Sequence, residues 1–535
     1  MPNPRTSLRV SALTAAAVLL ALLVGTPLIA AGHRCIFDEL QRLQLATGSS
    51  AVPEVGDRGA PQGQGAEQHG SFTATDPWEP IRISVFTEDL DDSSRYCTQP
   101  GEMKPNFKGS MIKCNPDNIL TDEKKQLIRK QIIPNAVQMH RDRLLVQPLR
   151  HNIRVGHLTG SLCPYFTVPQ SHHTTGVPDT DFVLYVAAGP TVPGIIGWTA
   201  YCQSDASGRI QVGVVNLGPR NALDVFSSTR TMAHEILHAL GFDIEIFQIR
   251  GMIIDVSVRG KKKSSVLKSP KVVEVARAHY GCSTMQYVEL EDAGGSRSAG
   301  SHWKMRNTKD ELMAPINGSS FYTAFTIAAM EDTGYYKGNY SNAESMSWGK
   351  NAGCLLFDTK CVINGVSQMP EMFCDSKIRL KSEYRCTSER MGIGNCLIKH
   401  HATLPTYFQY FSDPTMGGIY RSMDYCPFIL PFIETKCING NATTLPGSVF
   451  SKSARCFSAV SNTTLQIKYD IMRSICADVL CDKGTSKYQV RVKGATDFVD
   501  CPPGSTLVLS KYSTEFKSGA IECAPYEEVC NTNYY

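Results

Sequence analysis

The sequence has no long run of lysine or arginine, and its 54 basic residues exceed its 50 acidic residues by only four. Proteins that bind nucleic acid through phosphate contacts concentrate positive charge on one face. This composition therefore gives no indication of a nucleic-acid partner. The densest basic cluster, residues 261–263, is interpreted as a solvated loop.

Only one apolar run, residues 11–31, approaches the length needed to span a bilayer, and the sequence has no second run of this kind. Arg5 and Arg9 precede this run and small residues 30–32 follow it, which is typical of a cleaved signal peptide. An uncleaved membrane anchor is the alternative. The last residues, 531–535, form no hydrophobic tail for a glycolipid anchor. We expect a protein of the secretory pathway that is extracellular or at the cell surface. Membrane association is expected only if the N-terminal run stays uncleaved and acts as an anchor.

Tight cysteine–histidine clusters of zinc-finger type are absent from the sequence as well. Its 19 cysteines are scattered from Cys35 to Cys530, which indicates disulfides formed in an oxidising compartment. Setting Cys35 aside leaves 18, an even number. Thirteen cysteines lie beyond residue 353, so a separate disulfide-stapled domain, mainly β and loop, is predicted there. Four glycosylation sequons fit a secreted glycoprotein: Asn317, Asn339, Asn441 and Asn462.

The remaining chain is organised as a linker followed by mixed helix and strand. Residues 47–72 are rich in Gly, Ser, Pro and Gln, which is typical of a linker or flexible pro-segment. Globular sequence begins near Trp78. Apolar periodicity predicts strands at 81–86, 181–188 and 211–217, and helices at 121–141, about 222–240 and 272–279.

The helix predicted at 222–240 carries the motif that organises the chain, His234-Glu235-x-x-His238. Residues four apart on a helix lie one turn above each other, so both imidazoles face the same way. Two such imidazoles can hold Zn²⁺, and the intervening glutamate can reach a metal-bound water as a general base.

A catalytic zinc site needs a third protein ligand. The compact metzincin pattern would place a histidine three residues after Gly241, where this chain has Ile244. The downstream candidates are His279, His302, His400 and His401. His302 is favoured by the Asp-Glu-Leu-Met-Ala-Pro sequence at 310–315, which is similar to the methionine turn of metzincins; an ordinary polar loop residue is the alternative, and His279 is interpreted as structural.

These motifs resemble leishmanolysin, a zinc protease family in which the third histidine follows an insertion, here 60 residues between Gly241 and His302. Further blocks at 33–36, 84–90, 181–186, 351–354 and 423–427 extend the resemblance over essentially the whole chain. The resemblance implies one zinc per chain, with Met313 packed beneath the metal. It also implies that Cys35 is a fourth ligand that keeps the site inactive. An intermolecular bridge or an inert thiol is the alternative for Cys35.

The resemblance implies an α+β, metzincin-like fold with a twisted mixed sheet, an active-site helix, an inserted central subdomain and a disulfide-rich C-terminal domain. The expected divisions are a signal peptide (1–32), a pro-segment with a cysteine switch (33–73), an N-terminal catalytic subdomain (74–241), a central subdomain (242–350) and a cysteine-rich domain (351–535).

We therefore expect an endopeptidase in which His234, His238 and His302 hold zinc and Glu235 is the general base. Its expected substrates are proteins and peptides, including host extracellular or surface proteins. The substrate is expected to extend along a sheet edge, with residues 213–217 as the candidate edge. No serine or cysteine nucleophile arrangement is evident. A surface adhesion glycoprotein is the alternative function, which the intact set of four active-site residues disfavours.

Overall fold

The computed structural model describes residues 35–46, 77–158, 162–293, 299–316, 318–378, 380–461 and 463–531. The expected signal peptide, most of the expected pro-segment, and the sequons at Asn317 and Asn462 lie outside the described residues. Within the described ranges, no helix combines the length and the apolar character needed to cross a membrane.

The N-terminal half of the fold is a mixed sheet with helices packed on it. Its elements are α1 (Phe37–Ala46), β1 (Glu79–Pro80), β2 (Ile83–Phe86), β3 (Met103–Pro105), β4 (Met111–Lys113), α2 (Asp122–Leu127), α3 (Ile133–Arg141), β5 (Leu144–Val146), α4 (Gln170–Thr174), β6 (Phe182–Ala187), β7 (Gly197–Ser204), β8 (Ile210–Leu217) and α5 (Val225–Ala239).

The main sheet has the strand order β2-β6-β8-β7, in which β2, β6 and β8 are parallel and β7 is antiparallel to β8. Every residue of β6 and β8 is buried, as their continuous apolar sequence predicts for central strands. The proposal that residues 213–217 form the edge is therefore wrong. These residues lie in β8, which is paired on both sides, whereas β2 and β7 are the two edge strands and β7 is the one next to β8.

Helix α5 lies against this sheet and is buried from Ser228 to Ala239. Its N-cap, Asp224, accepts a hydrogen bond from the Ser227 amide, which satisfies one of the helix's first N–H groups. The helix ends at Ala239 with Leu240 as its C-cap, and Gly241 follows with a φ of 106°, which suits a residue without Cβ. Its position agrees with the predicted helix, although it begins three residues later.

The central region has its own small sheet of strand order β11-β10-β9. Its elements are α6 (Ile244–Ile249), β9 (Ile253–Val258), β10 (Lys261–Leu267), α7 (Pro270–Tyr280), β11 (Val288–Glu289), α8 (Ala324–Asp332) and β12 (Lys337–Gly338). The interpretation of residues 261–263 as a solvated loop is wrong, because they begin β10. Lys261 is buried there and pairs with Asp292 at 2.7 Å.

The C-terminal third is built from short strands and two short helices. These are α9 (Leu355–Asp358), β13 (Val362–Ile363), β14 (Val366–Ser367), β15 (Arg385–Cys386), β16 (Gly392–Cys396), β17 (Ile398–His400), β18 (Met416–Gly418), β19 (Ile429–Lys436), β20 (Ala454–Ser458), β21 (Leu465–Ile467), β22 (Ile471–Met472), β23 (Ser474–Asp482), β24 (Lys487–Arg491), β25 (Val499–Asp500), β26 (Thr506–Val508), β27 (Phe516–Ser518), β28 (Ala520–Glu522) and α10 (Tyr526–Val529).

Four clusters of buried hydrophobic residues lie within the described part of the chain, two large and two smaller. The main core runs from the N-terminal sheet through to Phe428, and a second core gathers buried residues from Cys437 to Val529 together with Ile393. The expected domain boundary at 350/351 stays a prediction.

Nine disulfides pair the 18 cysteines beyond Cys35, as the even count suggested: 97–114, 163–202, 282–354, 361–426, 374–396, 386–456, 437–476, 481–530 and 501–523.

Candidate metal centre

The structure brings the three histidines favoured from the sequence together with Cys35. His234 and His238 come from successive turns of α5, His302 comes from the loop after β11, and Cys35 immediately precedes α1. One ligand atom of each lies within 4.8 Å of the others, and all four residues are fully buried.

A hydrogen bond fixes the orientation of each imidazole. His234 Nδ1 donates to the Leu312 carbonyl at 2.6 Å, and His238 Nδ1 donates to the Phe242 carbonyl at 2.8 Å. Since a carbonyl can only accept, Nδ1 carries the proton and Nε2 presents its lone pair. His302 Nδ1 is bonded to the Asp38 carboxylate at 3.1 Å, the type of carboxylate–histidine pair that orients metal ligands.

The spacing of the ligand atoms fits zinc. The Nε2 atom of His238 lies 3.2 Å from the Nε2 atoms of both His234 and His302. A tetrahedral zinc with bonds of about 2.05 Å to nitrogen would separate two nitrogens by about 3.3 Å. The Cys35 Sγ atom lies 3.6 Å from His238 Nε2, and a zinc–sulfur bond of about 2.3 Å gives the same separation.

Cys35 is not in a disulfide, and its environment is unfavourable for a thiolate without a cation. Burial raises the pKa of the Cys35 thiol, and the nearby Glu235 carboxylate raises it further. A divalent cation at the centre of the cluster would offset both effects. The donor set of three imidazoles and one thiol thus suits Zn²⁺.

Glu235 is fully buried beside the histidines and lies under the edge strand. A Cβ atom built on Gly197, the first residue of β7, would lie 3.6 Å from Glu235 Cγ. This distance is an ordinary van der Waals contact, so the start of β7 lies directly beside the Glu235 side chain.

The methionine turn packs against the same cluster. Met313 is fully buried, and its carbonyl accepts a hydrogen bond from the Trp303 amide at 3.0 Å. Its own amide donates to the Glu311 carboxylate at 2.5 Å. Because the Leu312 carbonyl orients His234, this turn links the third histidine's loop to the first histidine of α5.

The other histidine candidates lie elsewhere. His279 is part of α7 and its Nε2 is bonded to the Trp348 carbonyl at 2.9 Å, in agreement with a structural role. His400 and His401 lie at the β17–β18 hairpin of the C-terminal third.

Of the two sequons within the described residues, Asn441 is exposed, whereas Asn339 donates from Nδ2 to the Asp142 carbonyl.

Helix α1 contributes contacts that sequence reasoning missed. The Phe37 ring stacks on His238 with ring centroids 4.1 Å apart, and Asp38 Oδ1 accepts from the Ser301 amide at 3.0 Å. Gln41 donates to Asp243 at 2.9 Å. The only sequence signal for these contacts was that Phe37 and Asp38 are adjacent to Cys35. That signal does not identify the residues they contact, which lie 200 or more positions further along the chain.

A peptidase zinc site on a mixed sheet defines the class of protein, a zinc metalloendopeptidase. The leishmanolysin family profile (Peptidase M8) matches residues 33–535, and the chain belongs to this family. It is 38% identical to a leishmanolysin of Leishmania major, over 98% of this chain and 92% of that protein. It is 37% identical to a leishmanolysin homolog of Crithidia fasciculata, over 93% and 81% of the two chains. A leishmanolysin-like peptidase of Drosophila melanogaster is 27% identical over 58% of this chain and 61% of that protein.

Proposed function

We propose that the chain hydrolyses internal peptide bonds of proteins at a zinc ion held by His234, His238 and His302. The convergence of their three Nε2 atoms carries this proposal. Zinc, when bound, supplies Lewis-acid polarisation of a carbonyl and lowers the pKa of a coordinated water. The four intact active-site residues favour catalysis over the adhesion alternative.

Glu235 moves the proton in this reaction. Its carboxylate accepts a proton from the attacking water and returns it to the leaving amine, so it must remain within reach of both. Its burial between α5 and β7 holds it in that position and excludes bulk water from the base. The substrate backbone pairs with β7, which replaces 213–217 as the proposed edge.

The decisive experiment compares the wild-type protein with Glu235→Gln after pro-segment removal. We expect the variant to retain one zinc per chain and to lose peptide hydrolysis by about two to four orders of magnitude. Equal cleavage by both proteins, or a wild-type chain that binds no zinc, would overturn the proposed function.

We further propose that residues 33–73 keep the enzyme latent until they are removed. Cys35 would supply a fourth ligand to the metal, and α1 packs against β7 through Phe37, whose ring lies 6.4 Å from that of Tyr201. Residues 35–46 would therefore cover both the metal and the strand with which the substrate is proposed to pair. Export through the secretory pathway, as a soluble or surface protein, is part of this proposal and is supported by the nine disulfides.

Latency is tested by Cys35→Ala in the full-length chain. We expect this variant to cleave peptide before any processing, whereas the wild type does not. A variant that stays silent until residues 33–73 are removed would show that the thiol has no part in latency.

A further inference from the structure

We infer that an N-linked glycan on Asn441 lies in a groove beside its attachment site and packs against Tyr469. The groove has a volume of about 510 Å³ and lies between the turn after β19 and the β21–β22 hairpin. We call it the glycan groove. Its wall includes Lys381, Ser382, Thr443, Gln466, Tyr469 and Ile471.

The attachment site has the sequence that N-glycosylation requires, Asn441-Ala442-Thr443. In the transfer reaction, Asn441 Nδ2 forms a bond to C1 of a sugar that is carried on a lipid pyrophosphate. The bond between C1 and the pyrophosphate oxygen breaks, the pyrophosphate leaves with the electron pair, and Nδ2 loses one proton to solvent. The proposed export brings the chain to the secretory compartment that supplies this donor.

The folded chain leaves the Asn441 side-chain amide open and next to the groove. Asn441 and Thr443 are both exposed. The Asn441 Oδ1 atom accepts a hydrogen bond from the Thr443 backbone amide at 2.8 Å, which holds the carboxamide beside a residue of the groove wall. Asn441 Nδ2 donates no hydrogen bond to any described residue, so a sugar on this atom displaces no contact of the fold.

The turn that carries Asn441 is fixed to the rest of the C-terminal third. The Asn441 backbone amide donates to the Glu434 carbonyl of β19 at 2.8 Å, and Thr444 Oγ1 donates to Glu434 Oε2 at 3.0 Å. Leu445 donates its amide to the Asn441 carbonyl at 2.9 Å and is buried in the second core. The attachment site therefore keeps a set position relative to the groove.

On the other side of the groove, the β21–β22 hairpin presents an aromatic ring. The Ile467 amide donates to the Asp470 carbonyl at 2.8 Å and closes the turn that carries Tyr469. The Tyr469 side chain is 94% exposed and that of Ile471 is 51% exposed, although the neighbouring Ile467 is buried. Two large apolar side chains on the wall of one concave surface indicate that something covers them.

The polar groups of the wall suit a carbohydrate. Ser382, Thr443 and Gln466 offer hydroxyl and amide groups, and Lys381 offers an ammonium group that is exposed. A sugar ring has hydroxyl groups at its edge and C–H groups on its faces, so it can bond to these groups while one face packs on the Tyr469 ring. The volume of the groove lies within the range of ligand sites, about 300–1,000 Å³.

Covalent attachment is the reason to assign the groove to the Asn441 glycan and not to a separate molecule. A free sugar or a peptide could meet the same wall, but it would have to be captured from solution. The glycan is held beside the groove by its bond to Asn441, so its effective concentration there is high.

The test measures how fast a peptide-N-glycosidase releases the Asn441 glycan from the folded, full-length protein made in a mammalian secretory host. Mass spectrometry of peptides follows this site alone, because release converts the asparagine to aspartate. The enzyme needs the glycan to leave the groove, so the release rate follows the undocked population. We expect Tyr469→Ala to speed release by about threefold to tenfold.

Two matched variants serve as controls. Tyr469→Phe keeps the ring and should release the glycan at the wild-type rate. Tyr512→Ala removes another exposed tyrosine, outside the groove, and should also match the wild type. In denaturant all these proteins should release the glycan at one rate. A secreted wild type without a glycan on Asn441 would overturn the inference, and equal rates for wild type and Tyr469→Ala would leave the groove to a separate ligand.

A second measurement uses the wild type alone and does not depend on the secretion of any variant. Trypsin can cut after Lys468, which is exposed in the hairpin turn. The glycosylated protein should be cut there about threefold more slowly than protein deglycosylated beforehand. Cutting after Lys483, exposed in the turn between β23 and β24, should not change. No protection of Lys468, or equal protection of both sites, would overturn the inference. Neither measurement reads peptidase activity, so its outcome is separate from that of the proposed function.

Discussion

At the scale of single residues, each histidine of the cluster is bonded through Nδ1 to a second residue. Two of these partners are backbone carbonyls, from Leu312 and Phe242, but the third is the side chain of Asp38. Because Asp38 belongs to the segment proposed to be removed, His302 would lose this partner on the proposed maturation. Orienting partners of this kind commonly change metal affinity by about 10- to 100-fold.

The first prediction concerns Asp38→Asn in the full-length chain. We expect the variant to lose zinc to a chelator about tenfold faster than the unprocessed wild type, because the neutral amide supports His302 less well. Once residues 33–73 have been removed, the two proteins are identical in sequence and must lose zinc at the same rate. Equal rates before processing would contradict the prediction.

The second prediction concerns Met313→Ala. Met313 is fully buried, so its truncation should lower the free energy of unfolding by about 2–5 kcal/mol. Since methionine supplies no ligand here, the zinc content should stay at one per chain. Urea unfolding followed by metal analysis tests both parts, and a variant that loses its zinc while remaining folded would assign Met313 a more direct role.

At the scale of secondary-structure elements, the contact between α1 and the strand β7, through Phe37 and Tyr201, is the one proposed to control access to the site. Two carboxylates, those of Asp243 and Glu245, lie next to this contact. They are close to Asp38 of α1 and to the Tyr201 hydroxyl of β7. Burial raises the pKa of Asp243, and burial reinforced by Asp243 raises the pKa of Glu245 to about 7. Docking of α1 contributes to this burial and therefore favours the protonated carboxyl groups.

The third prediction is that α1 docks less tightly as the pH rises. A carboxyl group whose pKa is raised in the docked state favours docking at low pH and loses that contribution as the pH passes about 7. The inhibition constant of a peptide of residues 33–46 against the processed enzyme should rise about threefold to tenfold between pH 6 and pH 8. Glu245→Gln is the matched control, and an equally steep rise in that variant would contradict the mechanism.

The elements that the sequence predicts well are those whose burial is continuous. The strands β6 and β8 and the helix α5 have long apolar patterns because both of their faces are covered. Strand β7 was missed: its last three residues are only partly buried, and Trp198, Thr199 and Tyr201 give a weaker signal. Which strand forms the edge depends on pairing between distant segments, and spacing along the chain does not specify it.

The clustering of His234, His238 and His302 was predictable for a different reason, whereas their role as zinc ligands stays a prediction. His234 and His238 follow from helix geometry alone, whereas His302 needed the methionine turn and the family resemblance to single it out. Lys261 shows the limit of such reasoning, because a run of three lysines looks solvent-exposed until the buried partner of one of them is known. That partner, Asp292, lies 31 residues further on.

At the scale of the whole molecule, the C-terminal third is joined to the metal centre by buried charge. Asp424 binds Lys304 at 2.6 Å and Arg259 at 3.3 Å, and all three side chains are almost fully buried. The disulfide between Cys282 and Cys354 adds a covalent connection between the central region and the chain that follows. The site therefore depends on a segment more than 100 residues beyond its last ligand.

The fourth prediction is that Asp424→Asn destabilises the molecule by about 3 kcal/mol, because it leaves buried cations short of a counter-charge. Asp413→Asn removes an exposed carboxylate from the same third of the chain and should cost less than about 1 kcal/mol. Denaturant unfolding of the two variants gives the comparison. Similar small losses in both would show that the buried network contributes little net stability.

The placement of α1 across β7 also sets how the enzyme responds to dilution. Thirty residues, 47–76, separate α1 from Pro77 in the sequence, so α1 and the metal centre belong to one covalent chain. Under the proposed latency, inhibition within an uncut chain would not depend on the protein concentration. A cut between them would turn α1 into a separate competitor, so activation would become complete only where the released segment can diffuse away.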